Sequence, residues 1–122
     1  MGQYSAIDGL VSDWHLVHYG SRATGGVGLI ITEMTAISET GRITEGCAGI
    51  YNAEQLYQWK KITEFVHNNT YTKIGIQLGH SGRKGATKKP WEGNGPMETP
   101  WDLISVSPIP FNDNFATPKE MT

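Results

Sequence analysis

Cysteine is almost absent. Cys47 is the single one in 122 residues, which excludes an internal disulfide and fits a reducing, cytoplasmic setting. Its ordinary reading is a small buried thiol. Positive charge is not in excess either: 10 Lys and Arg face 12 Asp and Glu, for a net charge of -2. With no basic run to grip phosphates, nucleic acid is an unexpected partner. No apolar stretch approaches the ~20 residues of a membrane span, and no signal peptide is legible at the start. Asn68-Asn69-Thr70 matches the glycosylation triplet and is read as chance without a secretion signal. Repeats and low-complexity segments are missing too. What remains is a chain of one domain at most, 38% hydrophobic, with the means to bury a core.

Taken in order, Ile7-Asp8-Gly9 is a turn. Ser12 or Asp13 then caps a predicted helix through about Ala23, with Trp14, Leu16, Val17 and Ala23 as its packing residues. Gly25-Gly26 ends it. Val27 to Glu33 reads as a strand apolar on both faces, like a parallel strand covered by helices. A long connection runs from Met34 to Tyr51. Asn52 opens a second helix with Gln55 in capping-box position. Leu56, Trp59, Ile62 and Val66 recur at helical spacing and form its packing face, while Lys60, Lys61 and Glu64 face water. Trp59 and Phe65 are read as core.

The chain is organised around Ile74 to Gly79, which continues into His80-Ser81-Gly82-Arg83-Lys84. Ile74, Ile76 and Leu78 alternate with Gly75, Gln77 and Gly79, the pattern of a short buried strand. A buried Gln needs partners for its oxygen and its NH2, since an unpaired buried amide costs about 1–3 kcal/mol. Bare glycines on either side leave room for a planar ligand with a donor and acceptor edge. A Gln bonded to neighbouring backbone explains the same residue.

The centre is therefore one βαβ unit, expected to be right-handed. Connections after the strands are long and those before them short. In a (β/α)8 barrel the loops after strands build the active site, and a doubly wound open sheet has the same polarity. Residues 79–110 are too many for an ordinary loop, and Trp91 and Trp101 point to an ordered cover over a pocket. Thr117-Pro118 with Glu120 announces another helix. A barrel needs roughly 200 residues or more, so the expectation is the front portion of a longer chain, with Met1 where a preceding strand should be ending.

Tyr4-Ser5-Ala6, Trp14 to Tyr19, Gly41-Arg42-Ile43-Thr44 and Gln77 to Lys84, in this order and spacing, resemble the Old Yellow Enzyme family. The bacterial NADPH dehydrogenase branch is the nearest, and the resemblance covers essentially all 122 residues. Arg83 to Thr87 with Trp91-Glu92-Gly93 is also similar to the reductase part of monooxygenase/reductases acting on aminobenzoyl- or salicylyl-coenzyme A. The resemblance implies residues 1–122 as part of one FMN-binding (β/α)8 barrel domain. NAD(P)H would reduce the flavin, which passes a hydride to the activated C=C bond of a small enone or an aromatic acyl-coenzyme A, with the full-length enzyme a homo-oligomer.

Residue by residue, the resemblance puts Gln77 on the pyrimidine edge of the flavin. It puts the backbone of Met1, Gly2 and Met34 against the ring, and Tyr4 on the substrate at the pocket mouth. Relatives often carry a cysteine at the position of Gly2 and a small residue at that of Met34. The catalytic acid, the anion-binding pair and the phosphate-gripping arginine belong to later strands, so catalytic residues are unknown here and weak FMN binding by this chain alone is expected. A non-catalytic βαβ binding module is the reading from another class. His15 and His18 lie three apart on a helix, but no third metal ligand is in view. His80 and Arg83 are read as braces of the long loop, and Arg42 as a partner of Glu33 or Glu45.

Overall fold

Asn52 stops the chain in an extended conformation, and its side-chain oxygen accepts the Gln55 N–H at 2.9 Å. That satisfies one of the unpaired donors of a helix start and opens helix α2, Ala53–Asn69. Gln55 departs from a reciprocal capping box. Its Oε1 accepts the Tyr51 N–H at 2.9 Å and its Nε2 donates to the Asp8 carbonyl at 3.0 Å. A fully buried amide is thereby satisfied, and the Asp8 turn is tied to α2.

The computed structural model describes residues 1–122. Helix α1 spans Asp13–Thr24, strand β1 Leu29–Ala36 and strand β2 Lys73–Gly79. β1 and β2 pair in parallel on either side of α2. Two short parallel strands, β3 (Ile104–Ser105) and β4 (Lys119–Glu120), form a second sheet. No helix is long and apolar enough to cross a membrane.

The core lies between the two helices and β1. Tyr19 and Ala23 of α1 meet Trp59, Ile62 and Val66 of α2 over Ile30. Burying side chains of this size stabilises by about 1.5–3 kcal/mol each. The helices approach closely at Gly20, where an added Cβ would stand 2.9 Å from the Phe65 ring.

Four expectations are corrected. Trp14 and Val17 point to solvent, and so does Leu56 on α2. The buried stripe of α1 is His15, Tyr19, Gly20 and Ala23, because His15 and Tyr19 answer to a buried carboxylate on β1. β2 is not covered on both faces: Ile74 packs against the core, while Ile76, Gln77 and Leu78 are exposed. Two helices shield only the start of that strand. The helix announced by Thr117-Pro118 is absent, since the N–H groups of Lys119 and Met121 bond instead to the carbonyls of Leu103 and Ser105. Arg42 reaches Glu39 at 3.7 Å and neither Glu33 nor Glu45, and it also stacks over the Trp101 ring at 5.3 Å.

β1 carries an irregularity. Ile31 pairs with Gly75 and Met34 with Gln77, so three steps on β1 match two on β2. Such an extra residue shifts the side-chain alternation beyond it. Thr32 and Glu33 are both buried in consequence, and Met34 shares a face with Ile31, Gly75, Gln77 and Gly79. Close contacts agree: an added Cβ on Gly79 would stand 2.7 Å from Met34 Cγ, and one on Gly75 3.1 Å from Ile31 Cδ1.

Candidate functional site

The carboxyl ends of β1 and β2 bring the sequence candidates to one side. Met34 and Gln77 are register partners. The Gln77 N–H donates to Thr32 Oγ1 at 3.2 Å across the irregular register, and its side-chain amide is exposed on the face away from the helices. The expectation of a Gln enclosed on both sides is corrected: its amide lies open beside two glycines.

Met1, Gly2 and Tyr4 arrive from the other side of β1. The Gln3 N–H donates to Glu33 Oε2 at 2.8 Å, immediately before Met34. Gly2 lies under the Tyr4 ring, where an added Cβ would stand 3.0 Å from Cζ. A cysteine there would need the ring to move by a few tenths of an ångström. Tyr4 has a φ of +51°, an uncommon conformation for a bulky side chain. Its ring packs edge-on to Trp91 with centroids 6.3 Å apart. Burial raises the Tyr4 pKa, and Cys47 and Glu33 add to the shift, so the phenol keeps its proton and can donate it in a hydrogen bond.

Side-chain hydrogen bonds tie the loops above to one another. Trp101 Nε1 donates to the Thr40 carbonyl at 3.2 Å. His80 Nδ1 accepts the Gly82 N–H at 3.1 Å, and Arg83 reaches Ser107 Oγ at 2.8 Å, which are bracing roles. Cys47 is buried, with its sulfur 3.4 Å from the Thr44 N–H. A cleft of about 440 Å³ beyond Trp91 is lined by Glu45, Lys88, Lys89, Glu92 and Glu98. Its lysines are already paired, Lys88 with Glu98 and Lys89 with Glu92.

Sequence reasoning missed the polar cluster beneath Tyr4. Tyr19 Oη donates to Glu33 Oε1 at 3.1 Å and accepts the Glu33 N–H at 3.0 Å. Burial raises the pKa of Glu33, against the pull of the Gln3 N–H and the Tyr19 hydroxyl. Burial also lowers that of His15 to about 4, with His18 adding to the shift. His15 Nδ1 accepts the Ser12 N–H at 3.0 Å, a bond that only the neutral ring can accept. The one available signal was an acid inside an otherwise apolar strand run.

A pH dependence follows. The folded-state pKa of His15 lies below its unfolded value, so its stabilisation is complete above about pH 6.5 and lost as pH falls through about 4. The loss is expected to reach roughly 3 kcal/mol. Glu33 runs the other way, with stability fullest below its ordinary carboxylate range and declining as pH rises through the raised value. Urea unfolding across this range, compared with His15→Gln, isolates the first effect. A variant with the same acid limb as the parent sinks it.

Comparison with known proteins identifies the family and the fold. The sequence profile of the NADH:flavin oxidoreductase / NADH oxidase family matches residues 1–121. NADPH dehydrogenase of Listeria monocytogenes serotype 4a is 40% identical over 115 residues, covering 94% of this chain and 30% of the relative. That of Geobacillus thermodenitrificans is 41% identical over the same span and shares. The chain thus spans under a third of the length of the curated relatives it matches. Among solved structures, morphinone reductase superposes with a TM-score of 0.78 at 26% identity, over 100% of this chain and 34% of the other. Old Yellow Enzyme from Pichia sp. AKU4542 gives 0.79 at 26% identity, over 100% and 32%. The strand–helix–strand unit is the front part of their (β/α)8 barrel, left unclosed here. This chain belongs to the NADH:flavin oxidoreductase / NADH oxidase family.

Proposed function

We propose that residues 1–122 form the front portion of one FMN-binding barrel domain, in an enzyme that takes reducing equivalents from NAD(P)H and delivers a hydride to an activated C=C bond. The observation that carries this is the pairing of Met34 with Gln77 on the helix-free face of the sheet, beside Gly75 and Gly79. The residues fit a flat ring system: an exposed primary amide offers donor and acceptor together, and the Met34 and Ile31 side chains lie over the two glycines as an apolar surface beside it. Bound there, FMN supplies the two-electron chemistry.

The chain's own residues hold and orient. Gln77 holds the polar edge of the ring. The backbone of Met1, Gly2 and Met34 lines it, and the Tyr4 phenol donates to the acceptor's carbonyl at the mouth. Support comes from neighbours such as morphinone reductase in complex with tetrahydroNAD, at a TM-score of 0.77. Of the two acceptor classes, the small enone is favoured. An aromatic acyl-coenzyme A brings phosphates, and Lys88 and Lys89 are already engaged by glutamates.

FMN titration followed by flavin fluorescence quenching tests the proposal. This chain alone is expected to quench weakly, and a version extended through the later strands to saturate. Gln77→Leu in the extended version is expected to weaken binding about tenfold, the worth of a hydrogen bond or two. An extended version that ignores flavin overturns the reading.

A further inference from the structure

Glu33 has no part in the function above, yet its buried carboxylate accepts two hydrogen bonds and faces a third polar group. Oε2 accepts the Gln3 N–H, and Oε1 accepts the Tyr19 hydroxyl. His15 Nε2 stands 3.6 Å from Oε1, with both side chains essentially inaccessible to solvent. Because Nδ1 accepts the Ser12 N–H, the ring proton sits on Nε2. That nitrogen is the buried side-chain polar atom lacking a hydrogen-bond partner, and it is aimed at the carboxylate. Orphaned polar atoms of this kind are rare in folded proteins.

What the carboxylate holds is more telling than what holds it. Gln3 immediately precedes Tyr4, whose left-handed backbone is strained and persists only where its surroundings over-determine it. Two anchors flank that residue. Glu33 grips the N–H before it, and the Gly46 carbonyl accepts the Ala6 N–H at 3.1 Å after it. Gly46 completes the second anchor by having no side chain, since an added Cβ would overlap the Tyr4 carbonyl. The Tyr4 phenol is therefore carried by a short arch with two fixed feet.

We propose that Glu33 is a positioning residue: braced by Tyr19 and His15, its carboxylate fixes the Gln3–Tyr4 backbone and thereby sets how tightly Tyr4 engages the substrate carbonyl. This rests on the placement of Tyr4 at the pocket mouth argued above. An acid acting only as core glue would instead loosen α1, α2 and the arch together when lost.

Amide hydrogen exchange on this chain separates the two. In Glu33→Gln, exchange at Gln3 and Tyr4 is expected to rise about tenfold or more, while Trp59 and Ile62 in α2 change less than about twofold. Tyr19→Phe, which leaves the carboxylate but removes one brace, gives a smaller rise at the same two amides. It also serves if Glu33→Gln fails to fold. A uniform rise, or none at Gln3 in either variant, overturns the proposal. In the extended, FMN-loaded protein with 2-cyclohexenone as probe, Glu33→Gln is expected to raise KM about tenfold with kcat nearly unchanged, and not to add to Tyr4→Phe. Should the arch loosen while Tyr4→Phe leaves KM unaltered, the assignment of Tyr4 falls and the anchoring role of Glu33 stands. Additive effects of the two substitutions on KM sink the link between them.

Discussion

Gly46→Ala is expected to unseat Tyr4 and lower the free energy of unfolding by about 2–3 kcal/mol, the upper range for overpacking a filled site. A Cβ at this position would overlap the Tyr4 carbonyl oxygen and stand 2.8 Å from its carbonyl carbon. Both atoms are backbone, and the arch that carries them is held by Glu33 on one side and by Gly46 itself on the other. No rotamer change relieves the clash. Lys89 Cε, 3.0 Å from the same point, can swing away, so the cost arises at Tyr4 alone. Gly28→Ala is the control, because nothing lies within 4 Å of a Cβ there and its backbone is unexceptional. It should change stability by less than about 0.5 kcal/mol. Urea unfolding of both variants decides the matter, and equal midpoints would show that the contact at Gly46 is not tight.

The other large effect belongs to Trp59. Trp59→Ala is expected to cost about 3–5 kcal/mol, the range for emptying a buried aromatic site. The side chain is only 3% exposed, and its ring lies 6.0 Å from that of Tyr19, tilted by 37°. Its Nε1–H donates to the Gly49 carbonyl at 3.1 Å. Gly49 pairs with the end of β1 through Ala36, so the indole ties α2 to the loop that returns along the strand. Trp59→Phe keeps much of the packing but orphans that carbonyl, and should cost roughly 1–3 kcal/mol. A midpoint shift with an unchanged urea slope would confirm a native-state effect. If Phe and Ala cost the same, the hydrogen bond rather than the packing dominates.

How far the chain could be read beforehand follows from the range of each determinant. Caps and helical spacing act over a few residues, so α1, α2 and the Asn52–Gln55 contact were legible. The pairing of two strands around α2 followed from them, but not its register: Met34, expected just past the strand, lies within β1 opposite Gln77. Which face of α1 goes inward was not legible, because His15 and Tyr19 are buried by a carboxylate on another element rather than by their own apolarity. The cover over β2 was overestimated for a related reason: alternation shows that Ile76 and Leu78 share a face with Ile74, not that anything packs on it. At Thr117 a good local helix start lost to strand pairing with residues 104–105. Arg42 settled on Glu39, three residues away, and on the indole of Trp101, far along the chain, and neither was favoured by its local pattern over Glu45.

The extra residue in β1 has a consequence for how this segment tolerates change. Removing Thr32 would restore strict one-to-one pairing, with Met34 still opposite Gln77 and Glu33 opposite Ile76 on the helix side. That deletion takes from the Gln77 N–H its Thr32 acceptor, whereas removing Glu33 instead gives the same pairing but strips Gln3 of its acceptor and leaves Tyr19 and His15 facing a threonine. The added residue is thus what lets one strand turn both a hydroxyl and a carboxylate to the buried side while Met34 still meets Gln77 on the other.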